Sequence, residues 1–290
     1  MREFRGGRID CPPRKVRGTY LATLPRISQL FVSQLLRAGG FGRSRYRQSA
    51  ISVPIPLRKS IRDSNFIMLD LSQWQPRPKP TRQTLQGQYC RVEAMQPHHA
   101  DDLYEASTAP GVEQRYRYLT IEPQSRTEFD TWFKAASAGQ DPLYYTVIDQ
   151  RTGRCEGRQS LMRIEPTHGV IEIGNILWGP KIARTRVATE ALYLTAEYVF
   201  DQLGYRRFEW KCDTLNEPSR AAALRFGFKF EGIFQQHLII KGKNRDTAWY
   251  AMLDHQWPGL KRAYQAWLSP ENFDANGTQV RKLQDFFDDE

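Results

Sequence analysis

The order of segments predicts an α/β fold that is built on one mixed β-sheet. In the middle of the chain, strand-like segments precede and follow a helix-like segment whose apolar residues recur at spacings of three, four and seven. A strand, a crossover helix and a second strand favour a parallel pair inside the sheet. Hydrophobic residues make up 40% of the chain, which is enough for a substantial core.

The first half of the folded region is predicted to contain four strands and two helices. Pro123 lies near the start of the second helix, and turn residues at 150–153 and 166–169 separate the last three strands. The predicted elements of this half are a strand at 88–95, helices at 98–106 and 123–136, and strands at 143–149, 156–164 and 170–178.

The second half begins with the helix that has the clearest amphipathic pattern. Gly204 is predicted to cap its C-terminus, and a strand follows in which residues 208, 210 and 212 face one way and charged residues face the other. A short helix at 216–226, a hairpin of strands at 228–240 and 247–253, and a helix at 257–268 complete the fold. The apolar face of the first helix consists of Ala188, Ala191, Leu192, Thr195, Tyr198, Val199 and Leu203.

Composition divides the chain into four segments. Residues 1–67 contain 14 lysines and arginines against three acids, whereas the rest of the chain contains 28 basic and 29 acidic residues. The near-neutral remainder argues against a nucleic-acid-binding domain. The predicted organisation is a basic, disordered extension at 1–67, a proline-rich linker at 68–82, one α/β domain at 83–268 and a polar tail at 269–290.

The extension allows three interpretations. It is rich in arginine, has no acid between Cys11 and Arg62 and contains one amphipathic stretch at 24–37, a combination that is typical of a mitochondrial transit peptide. A disordered basic tail is the second interpretation, and an overextended start with Met68 as the true initiator is the third. Without a transit peptide, the prediction is a cytoplasmic protein.

Several chemistries lack the residues that they need. Cys11, Cys90, Cys155 and Cys212 are far apart and form no C-x-x-C pair, which favours isolated thiols in a reducing compartment. Five scattered histidines offer no metal constellation, so no metal is expected. The chain has no P-loop, no zinc-protease helix and no serine-hydrolase elbow. No apolar run approaches the roughly 18–20 residues of a membrane span, so no membrane partner is expected.

Three groups of motif residues keep a fixed order between positions 172 and 252. In this order and spacing the chain resembles the GNAT acetyltransferase superfamily, and within it the branch typified by ribosomal-protein N-terminal acetyltransferases. The resemblance implies a GNAT fold for residues 83–268 and N-acetyltransferase activity with acetyl-CoA as co-substrate. The motif residues are Glu172, Ile173, Gly174, Trp178, Gly179, Pro180 and 184–191; then Asn216, Ser219, 225–228, Glu231 and Gly232; then 242–247.

The start of the long helix is the predicted binding site for the pyrophosphate of acetyl-CoA. A helix N-terminus offers free N–H groups and the positive end of its dipole to such an anion. The family has a glycine where this chain has Arg186, and Arg184 and Arg186 could supply charge instead. The cofactor-binding residues implied here are Arg184, Thr185, Arg186, Val187, Ala188 and Thr189.

The resemblance also implies that the strand before this helix diverges from the next strand and that the pantetheine arm fits the gap. The backbone of Ile176, Leu177 and Trp178 would hold the thioester, with one N–H polarising its carbonyl. Asn216 is expected to contact the pantetheine arm, and Ser219 to lie close to the cofactor. Asn216 is also a predicted helix N-cap, and both roles can coexist.

Glu172 is the first candidate for the catalytic base, acting through water. An amine with a pKa near ~10 must lose a proton before it attacks. A structural carboxylate is the alternative role for Glu172, and Asp246 is a second candidate that is more typical of a residue that fixes the hairpin. Many family members place a tyrosine at the position of Ala223 to protonate the leaving thiolate. Ser219 or water is expected to take that role here.

The acceptor site is expected to form from the early helices and the last hairpin. Tyr116, Tyr118 and His237 are the predicted substrate-binding residues, with Trp132 as a further lining candidate, and ordinary packing is an equally compatible role for each. The aromatic residues favour an acceptor with an apolar or cationic part.

The sequence therefore predicts direct transfer of acetyl from acetyl-CoA to a primary amine, on a small molecule or a peptide N-terminus, in a ternary complex. Two other classes stay open. One is a degenerate GNAT-fold module that binds CoA or a protein without catalysis. The other is an RNA- or ribosome-associated protein that depends on the basic extension. A monomer and a homodimer are both compatible with the sequence.

Overall fold

The computed structural model describes residues 70–122 and 124–287, which fold around one mixed sheet. The predicted basic extension at 1–67 lies outside the described residues. The strands are β1 Leu85–Gln86, β2 Cys90–Ala94, β3 Leu143–Asp149, β4 Cys155–Glu165, β5 Val170–Trp178, β6 Arg207–Asp213, β7 Lys229–Ile240 and β8 Lys243–Leu253. The helices are α1 Ala100–Thr108, α2 Glu113–Tyr116, α3 Arg126–Ala138, α4 Arg186–Glu197, α5 Glu217–Arg225 and α6 Trp257–Leu268. None of the helices in the described residues is long and apolar enough to cross a membrane.

The eight strands form one sheet in the order β1-β2-β3-β4-β5-β6-β8-β7. β5 and β6 run parallel, and the other neighbouring pairs are antiparallel. The predicted mixed sheet with a central parallel pair is therefore confirmed. The parallel pair sits in the middle of the sheet because α4 crosses over between its two strands.

Helices cover both faces of the sheet. Gln159 of β4 donates hydrogen bonds to Ala191 O and Thr195 Oγ1 of α4, whereas the neighbouring Arg158 lies against Trp132 of α3. Adjacent residues of a strand point to opposite faces, so α4 and α3 lie on opposite sides. We call these the α4 face and the α3 face.

Helix α4 is the centre of the core. Residues 187–196 are all buried. Its Glu190 carboxylate accepts hydrogen bonds from three successive backbone N–H groups, those of Gln88, Tyr89 and Cys90, over 2.6–2.8 Å. Gly204, at φ +69°, ends the helical segment as predicted, since a glycine enters the left-handed region without steric cost. Helix α4 and the β1–β2 turn are thus fastened together by one buried carboxylate.

The segments on either side of the predicted domain pack against it. Before β1, the indole of Trp74 donates to Thr167 O, and the Tyr145 hydroxyl donates to Thr81 O. After α6, Phe273 contacts Trp267 edge-on at 5.0 Å, and Leu283 is fully buried. The stretches expected to be a linker at 68–82 and a polar tail at 269–290 therefore contribute contacts to the fold where the structure describes them.

Most element positions agree with the sequence prediction. The bounds of β3, β5 and α6 coincide with the predicted ones. The two-residue β1 and the four-residue α2 were not predicted, because neither is long enough to show a periodic pattern. The last strand begins at Lys243 instead of 247, since the hairpin turns tightly through Lys241 and Gly242, both at positive φ.

Candidate active site

The two parallel strands diverge after a short paired stretch. Only residues 170–173 of β5 pair with residues 207–210 of β6. Beyond this point β5 stays paired with β4, and β6 stays paired with β8. Residues 174–178 and 211–213 therefore border a gap inside the sheet, which we call the splay. Backbone groups that face the splay have no neighbouring strand and are available to a ligand.

A β-bulge lies at the start of the splay. Ser160 of β4 pairs with Gly174 and Arg158 pairs with Leu177, so two residues of β5 oppose one residue of β4. Asn175, within the bulge, has φ +52°. Leu177 and Trp178 are buried on opposite faces: Leu177 packs with Val112 near the α3 face, and the Trp178 indole donates to Gln159 Oε1.

The N-terminus of α4 opens beside the splay. Thr185 is its N-cap, and Thr185 Oγ1 accepts from Val187 N over 3.2 Å, as a capping threonine does. The loop from β5 reaches the cap through Arg184, which has φ +65°. The first turn contains no acidic residue. Its remaining free N–H groups and the positive end of the helix dipole suit an anion.

Arginines surround this helix end, with differing orientations. Arg225 donates to Thr189 Oγ1 over 3.1 Å. The Arg115 guanidinium has its pKa lowered by burial and by the charge of the nearby Arg184. The Arg186 guanidinium instead stacks 4.4 Å from the Tyr89 ring. Arg115, Arg184 and Arg225 therefore contribute positive charge at this end, whereas the Arg186 side chain packs on an aromatic ring.

Helix α5 begins on the β6 side of the splay. Asn216 is its N-cap, with Oδ1 accepting from Ser219 N over 3.2 Å, so the predicted capping role is confirmed. The Ser219 hydroxyl accepts a hydrogen bond from Trp210 Nε1 over 3.0 Å. Burial raises the pKa of the neighbouring Cys212 thiol, and its contact with Ser219 acts in the opposite direction. Ala223, one turn further along α5, is fully buried and offers no polar group.

Glu172 lies on the α3 face, two residues before the splay begins. The side chain is nearly fully buried, and its Oε2 is bound by Arg163 at 2.7 Å and Lys211 at 2.8 Å. Oε1 lies 3.5 Å from the place where a Cβ on Gly174 would be, so this oxygen lies over the first residue of the splay on the α3 face. Lys211 also pairs with Glu209 at 2.6 Å. One carboxylate oxygen is thus fixed by cations, and the other lies beside Gly174, the first residue of the splay.

Two contacts bridge the mouth of the splay on the α3 face. The half-buried Tyr118 donates its hydroxyl to Leu215 O, on the loop before α5, over 2.8 Å. Lys241 of the last hairpin donates to Tyr116 O over 2.8 Å and pairs with Glu122 at 2.7 Å. The Tyr116 ring itself is buried, and its hydroxyl donates to Ser107 O. The loop after α2 is therefore tied to both elements beyond the splay.

An aromatic group completes the α3 face of the hairpin. His237 Nδ1 lies 3.0 Å from Thr247 Oγ1, and the Phe234 ring stacks 4.4 Å from the Trp249 ring. The Trp249 Nε1 and the Arg245 Nε are buried without a hydrogen-bond partner in the described residues. Buried donors of this kind call for an acceptor that the protein itself does not supply.

Asp246 holds the hairpin in shape. Its Oδ1 accepts from Gln236 N over 2.7 Å, at a bulge where Gln236 has φ +50°, and from Asn244 Nδ2 over 2.9 Å. These bonds lower the pKa of the Asp246 carboxyl. The alternative role in fixing the hairpin is the one that the structure supports.

Comparisons with known proteins agree with this geometry. The profile of the family described as "Acetyltransferase (GNAT) domain" matches residues 91–229. A GCN5-related N-acetyltransferase from Brucella melitensis has 55% sequence identity to this chain. The match includes 74% of this chain and 99% of the Brucella chain, and its crystal structure superposes with a TM-score of 0.73. The chain belongs to the GNAT acetyltransferase family.

More distant GNAT structures share the fold. A GNAT-family protein from Chromobacterium violaceum is 34% identical, covers 65% of this chain and 94% of its own, and has a TM-score of 0.61. The ribosomal L7/L12 alpha-N-protein acetyltransferase, solved in complex with coenzyme A, is 20% identical, covers 59% of this chain and 99% of its own, and has a TM-score of 0.50. At that identity the likeness concerns the fold alone. No curated protein sequence gives a significant match.

Several residues of this GNAT site were not predicted from the sequence. Arg158 and Lys211 carry charge inside strands, and Arg245 and Trp249 carry donors on the last strand. A charged residue in a strand is ordinarily solvent-exposed. Arg245 lies within the motif residues 242–247, but no pattern in the sequence assigns a role to any of these four, because their role depends on which strands become neighbours.

One group of potential metal ligands lies away from the splay. Atoms of Glu93, His98 and His99 lie within 4.8 Å of one another. His99 Nδ1 accepts from Gln96 N, so in the neutral ring Nε2 carries the proton and donates to Glu93 Oε2, 3.2 Å away. Arg91 Nε occupies the other carboxylate oxygen. Glu93 and His99 are therefore satisfied by hydrogen bonds, which hold β2 to the start of α1.

Proposed function

We propose that this GNAT domain transfers acetyl from acetyl-CoA to a primary amine by direct attack in a ternary complex, without a covalent enzyme intermediate. The observation that carries the proposal is the splay beside the N-terminus of α4. Such a gap accepts an extended chain as an extra strand, and the helix end next to it accepts phosphates. The two features match the pantetheine arm and the pyrophosphate of an acyl-CoA.

The residues at the α4 N-terminus fit a pyrophosphate. The backbone N–H groups of Arg186 and Ala188 are in the first turn, where helix N–H groups have no intrahelical partner. Arg184, Thr185, Val187 and Thr189 complete the proposed set, with Arg225 adding a charge-assisted donor beside Thr189. Backbone donors together with these cations support phosphate binding even though the Arg186 side chain packs elsewhere.

The proposed thioester site is the bulged part of β5. Backbone groups of Ile176, Leu177 and Trp178 border the splay, and an N–H directed into it can stabilise negative charge on a carbonyl oxygen. Asn216 supports binding from the other side: its Oδ1 caps α5, which leaves its amide N–H groups for the pantetheine arm.

Glu172 and Ser219 are the proposed proton-transfer groups. Glu172 Oε1 lies beside Gly174 at the start of the splay and can receive the amine proton through water. The Ser219 oxygen already accepts from Trp210, so its hydroxyl can donate a hydrogen bond to the leaving thiolate, and a proton passed on to the thiolate is replaced, through water, by the one that Glu172 takes from the amine. The two groups lie on β5 and α5, on the two sides of the splay, as transfer from an incoming amine to a departing thiolate requires.

The acceptor is proposed to enter on the α3 face. Tyr118 bridges the mouth of the splay, and His237 borders the hairpin beside the unpaired donors of Arg245 and Trp249. Tyr116 supports this acceptor-binding surface from inside the fold, because its hydroxyl is bound to α1. These groups suit an acceptor that carries hydrogen-bond acceptors near its amine.

Calorimetric titration of acetyl-CoA into the full chain tests the cofactor site. Two variants separate binding from helix capping. Asn216→Ala removes the cap and the amide, whereas Asn216→Ser keeps a capping oxygen and removes the amide alone. If the wild type binds with micromolar affinity and both variants bind about tenfold more weakly, the Asn216 amide contributes about 1.4 kcal/mol to the binding of acetyl-CoA. Asn276→Ala, in an exposed loop, is the matched control and is expected to bind like the wild type.

Two results would count against the proposal. Wild-type affinity in Asn216→Ser would mean that Asn216 is a cap only. No binding by a folded wild-type chain would favour the rival interpretation of a degenerate module, for which the buried Ala223 and the turned Arg186 side chain are the supporting observations.

A further inference from the structure

A buried arginine holds the bulge at the start of the splay. The Arg158 side chain is only 2% exposed, and its Nη1 donates to the carbonyl oxygen of Asn175 over 2.6 Å. The rings of Trp132 and Tyr144 lie 4.7 and 5.8 Å from the guanidinium carbon. The guanidinium is thus enclosed between two aromatic rings and one backbone carbonyl.

This arginine lacks the usual compensation for a buried charge. Among the residues that the structure describes, no carboxylate lies within ion-pair distance of Arg158, and the groups that act on its charge are Tyr144 and Tyr116. Buried charges are ordinarily paired, because removing an ion from water costs several kcal/mol. The compensation that Arg158 does have comes from the two aromatic rings and from its hydrogen bond to the carbonyl of Asn175.

The hydrogen bond determines how one peptide unit is turned. In a trans peptide, the C=O and the following N–H point in opposite directions. The carbonyl of Asn175 accepts from the Arg158 guanidinium, so the N–H of Ile176 is directed away from that guanidinium, and Ile176 lies beyond the last residue of β5 that pairs with β6. Fixing the carbonyl thereby fixes the direction of a donor that borders the splay.

A second brace acts on the same bulge. The Ser160 hydroxyl donates to Gly174 O over 3.1 Å, and Asn175 Nδ2 donates to Ser160 Oγ over 3.0 Å. Asn175 has φ +52°, a conformation that costs most residues about 1 kcal/mol and that asparagine tolerates best after glycine. Arg158 and Ser160, both on β4, hold the bulge on either side of Asn175.

We propose that Arg158 is a positioning residue that, with Ser160, holds the peptide between Asn175 and Ile176 so that its N–H faces the thioester carbonyl in the splay. This inference rests on the proposed function. Arg158 touches neither cofactor nor acceptor in this account, and it acts through the backbone of β5. Its aromatic enclosure keeps water from competing for the carbonyl of Asn175.

Two substitutions of Arg158 test the role. Arg158→Met removes the guanidinium and keeps an apolar side chain of similar length, a change that buried sites often tolerate without loss of stability. Arg158→Lys retains a charge and a donor. The expected result is a fall in kcat of about 10- to 100-fold for Arg158→Met, with the KM for the amine unchanged and partial recovery in Arg158→Lys. Arg151→Met, on an exposed turn, is the control.

Binding supplies a readout that does not depend on turnover. CoA lacks the thioester carbonyl, so its Kd is expected to stay within about threefold of the wild-type value in Arg158→Met. The carbonyl stretch of bound acetyl-CoA labelled with ¹³C is expected to move to higher frequency in Arg158→Met, because a hydrogen bond to that oxygen weakens. Ser160→Ala, a smaller change on the same brace, is expected to move the band in the same direction.

Three outcomes would overturn the inference. If folded Arg158→Met binds acetyl-CoA with an unchanged carbonyl band, the bulge keeps its geometry without the guanidinium. This result overturns the inference whether or not the variant transfers acetyl. A loss confined to the KM of acceptors with a carboxylate would make Arg158 an acceptor-binding residue. Equal weakening of CoA and acetyl-CoA, with a lower Tm, would make it a packing residue. If the wild type binds no acetyl-CoA, the proposed function fails together with the inference.

Discussion

The Trp210 indole donates a hydrogen bond to the Ser219 hydroxyl oxygen over 3.0 Å. Trp210 lies on β6 and Ser219 lies in the first turn of α5, so the bond joins the two elements on the far side of the splay. Because the serine oxygen already accepts a proton donor, its own O–H is oriented away from the indole. The pair offers a proton donor in a chain whose Ala223 cannot be one.

Ser219→Ala is expected to lower kcat about tenfold and to leave the Kd of acetyl-CoA unchanged. The loss is modest because a thiol of pKa about 8.5 is a tolerable leaving group without an acid. Steady-state kinetics with thiol detection, beside calorimetry, measure both quantities. Trp210→Phe keeps the ring and loses the donor, so an intermediate kcat is expected. A wild-type kcat in Ser219→Ala would exclude the serine as the acid.

Glu172→Gln is expected to reduce kcat/KM by about 10- to 100-fold at neutral pH, because the amide cannot take the amine proton. The deficit should shrink as the pH approaches the amine pKa of about 10, where the free amine is already abundant. The ratio of the wild-type and variant pH profiles is the measurement. Glu209→Gln is the matched control, since Glu209 shares Lys211 with Glu172. An equal loss in both variants, constant with pH, would assign Glu172 a structural role.

The catalytic framework could be predicted where it depends on local sequence. Asn216 was predictable as a cap because a capping side chain acts on the backbone two or three residues away, and the structure gives the same local role to Thr185. Gly204 was predictable as a helix end because the need for positive φ is a property of one residue. Such features are determined within a few residues, whatever the rest of the chain does.

Glu190→Gln is expected to lower the free energy of unfolding by about 2–3 kcal/mol. The carboxylate accepts from three backbone N–H groups of the β1–β2 turn, and an amide presents one oxygen and an opposing NH₂ to the same donors. Urea unfolding of the variant and of the exposed control Glu113→Gln measures the difference. Equal stability of the two variants would mean that the turn holds to α4 without the charged acceptor.

Stability is expected to decline as the pH falls below about 6.5. Burial, followed by the charge of His98, lowers the pKa of His99 from its usual value of 6.5, although Glu93 acts in the opposite direction. A histidine with a lowered native pKa binds fewer protons in the native state than in the unfolded state. Its contribution to stability is therefore complete above the unfolded pKa and is lost as the pH falls through the native pKa.

Urea unfolding at pH 7.5 and pH 5.5 measures whether the free energy of unfolding falls as the pH falls. His99→Gln should flatten the dependence, whereas His98→Gln, at a largely exposed site, should change it little. A wild-type chain that becomes more stable at pH 5.5 would indicate that the Glu93 ion pair outweighs the burial of His99.

Features that depend on which strands become neighbours could not be predicted from the sequence. Arg158 and Asn175 are 17 positions apart, and their contact exists only because β4 and β5 pair with a bulge between them. The direction of the Arg186 side chain depends on Tyr89, nearly a hundred positions away. The motif residues indicated the chemistry of the site. The residues that line the site and hold its backbone in place follow from the register of the sheet.

Acetyl transfer itself is the most direct test. The full chain is incubated with acetyl-CoA and separate pools of amino acids, polyamines and short peptides with free N-termini, and mass spectrometry measures the N-acetyl products beside the CoA released. We expect one or more acetylated amines, formed in a one-to-one ratio with CoA and in smaller amounts in Glu172→Gln. CoA release without any acetylated amine, or equal amide formation by wild type and Glu172→Gln at neutral pH, would contradict the proposed mechanism. A folded chain that neither binds acetyl-CoA nor acetylates any amine would contradict the proposed function as a whole.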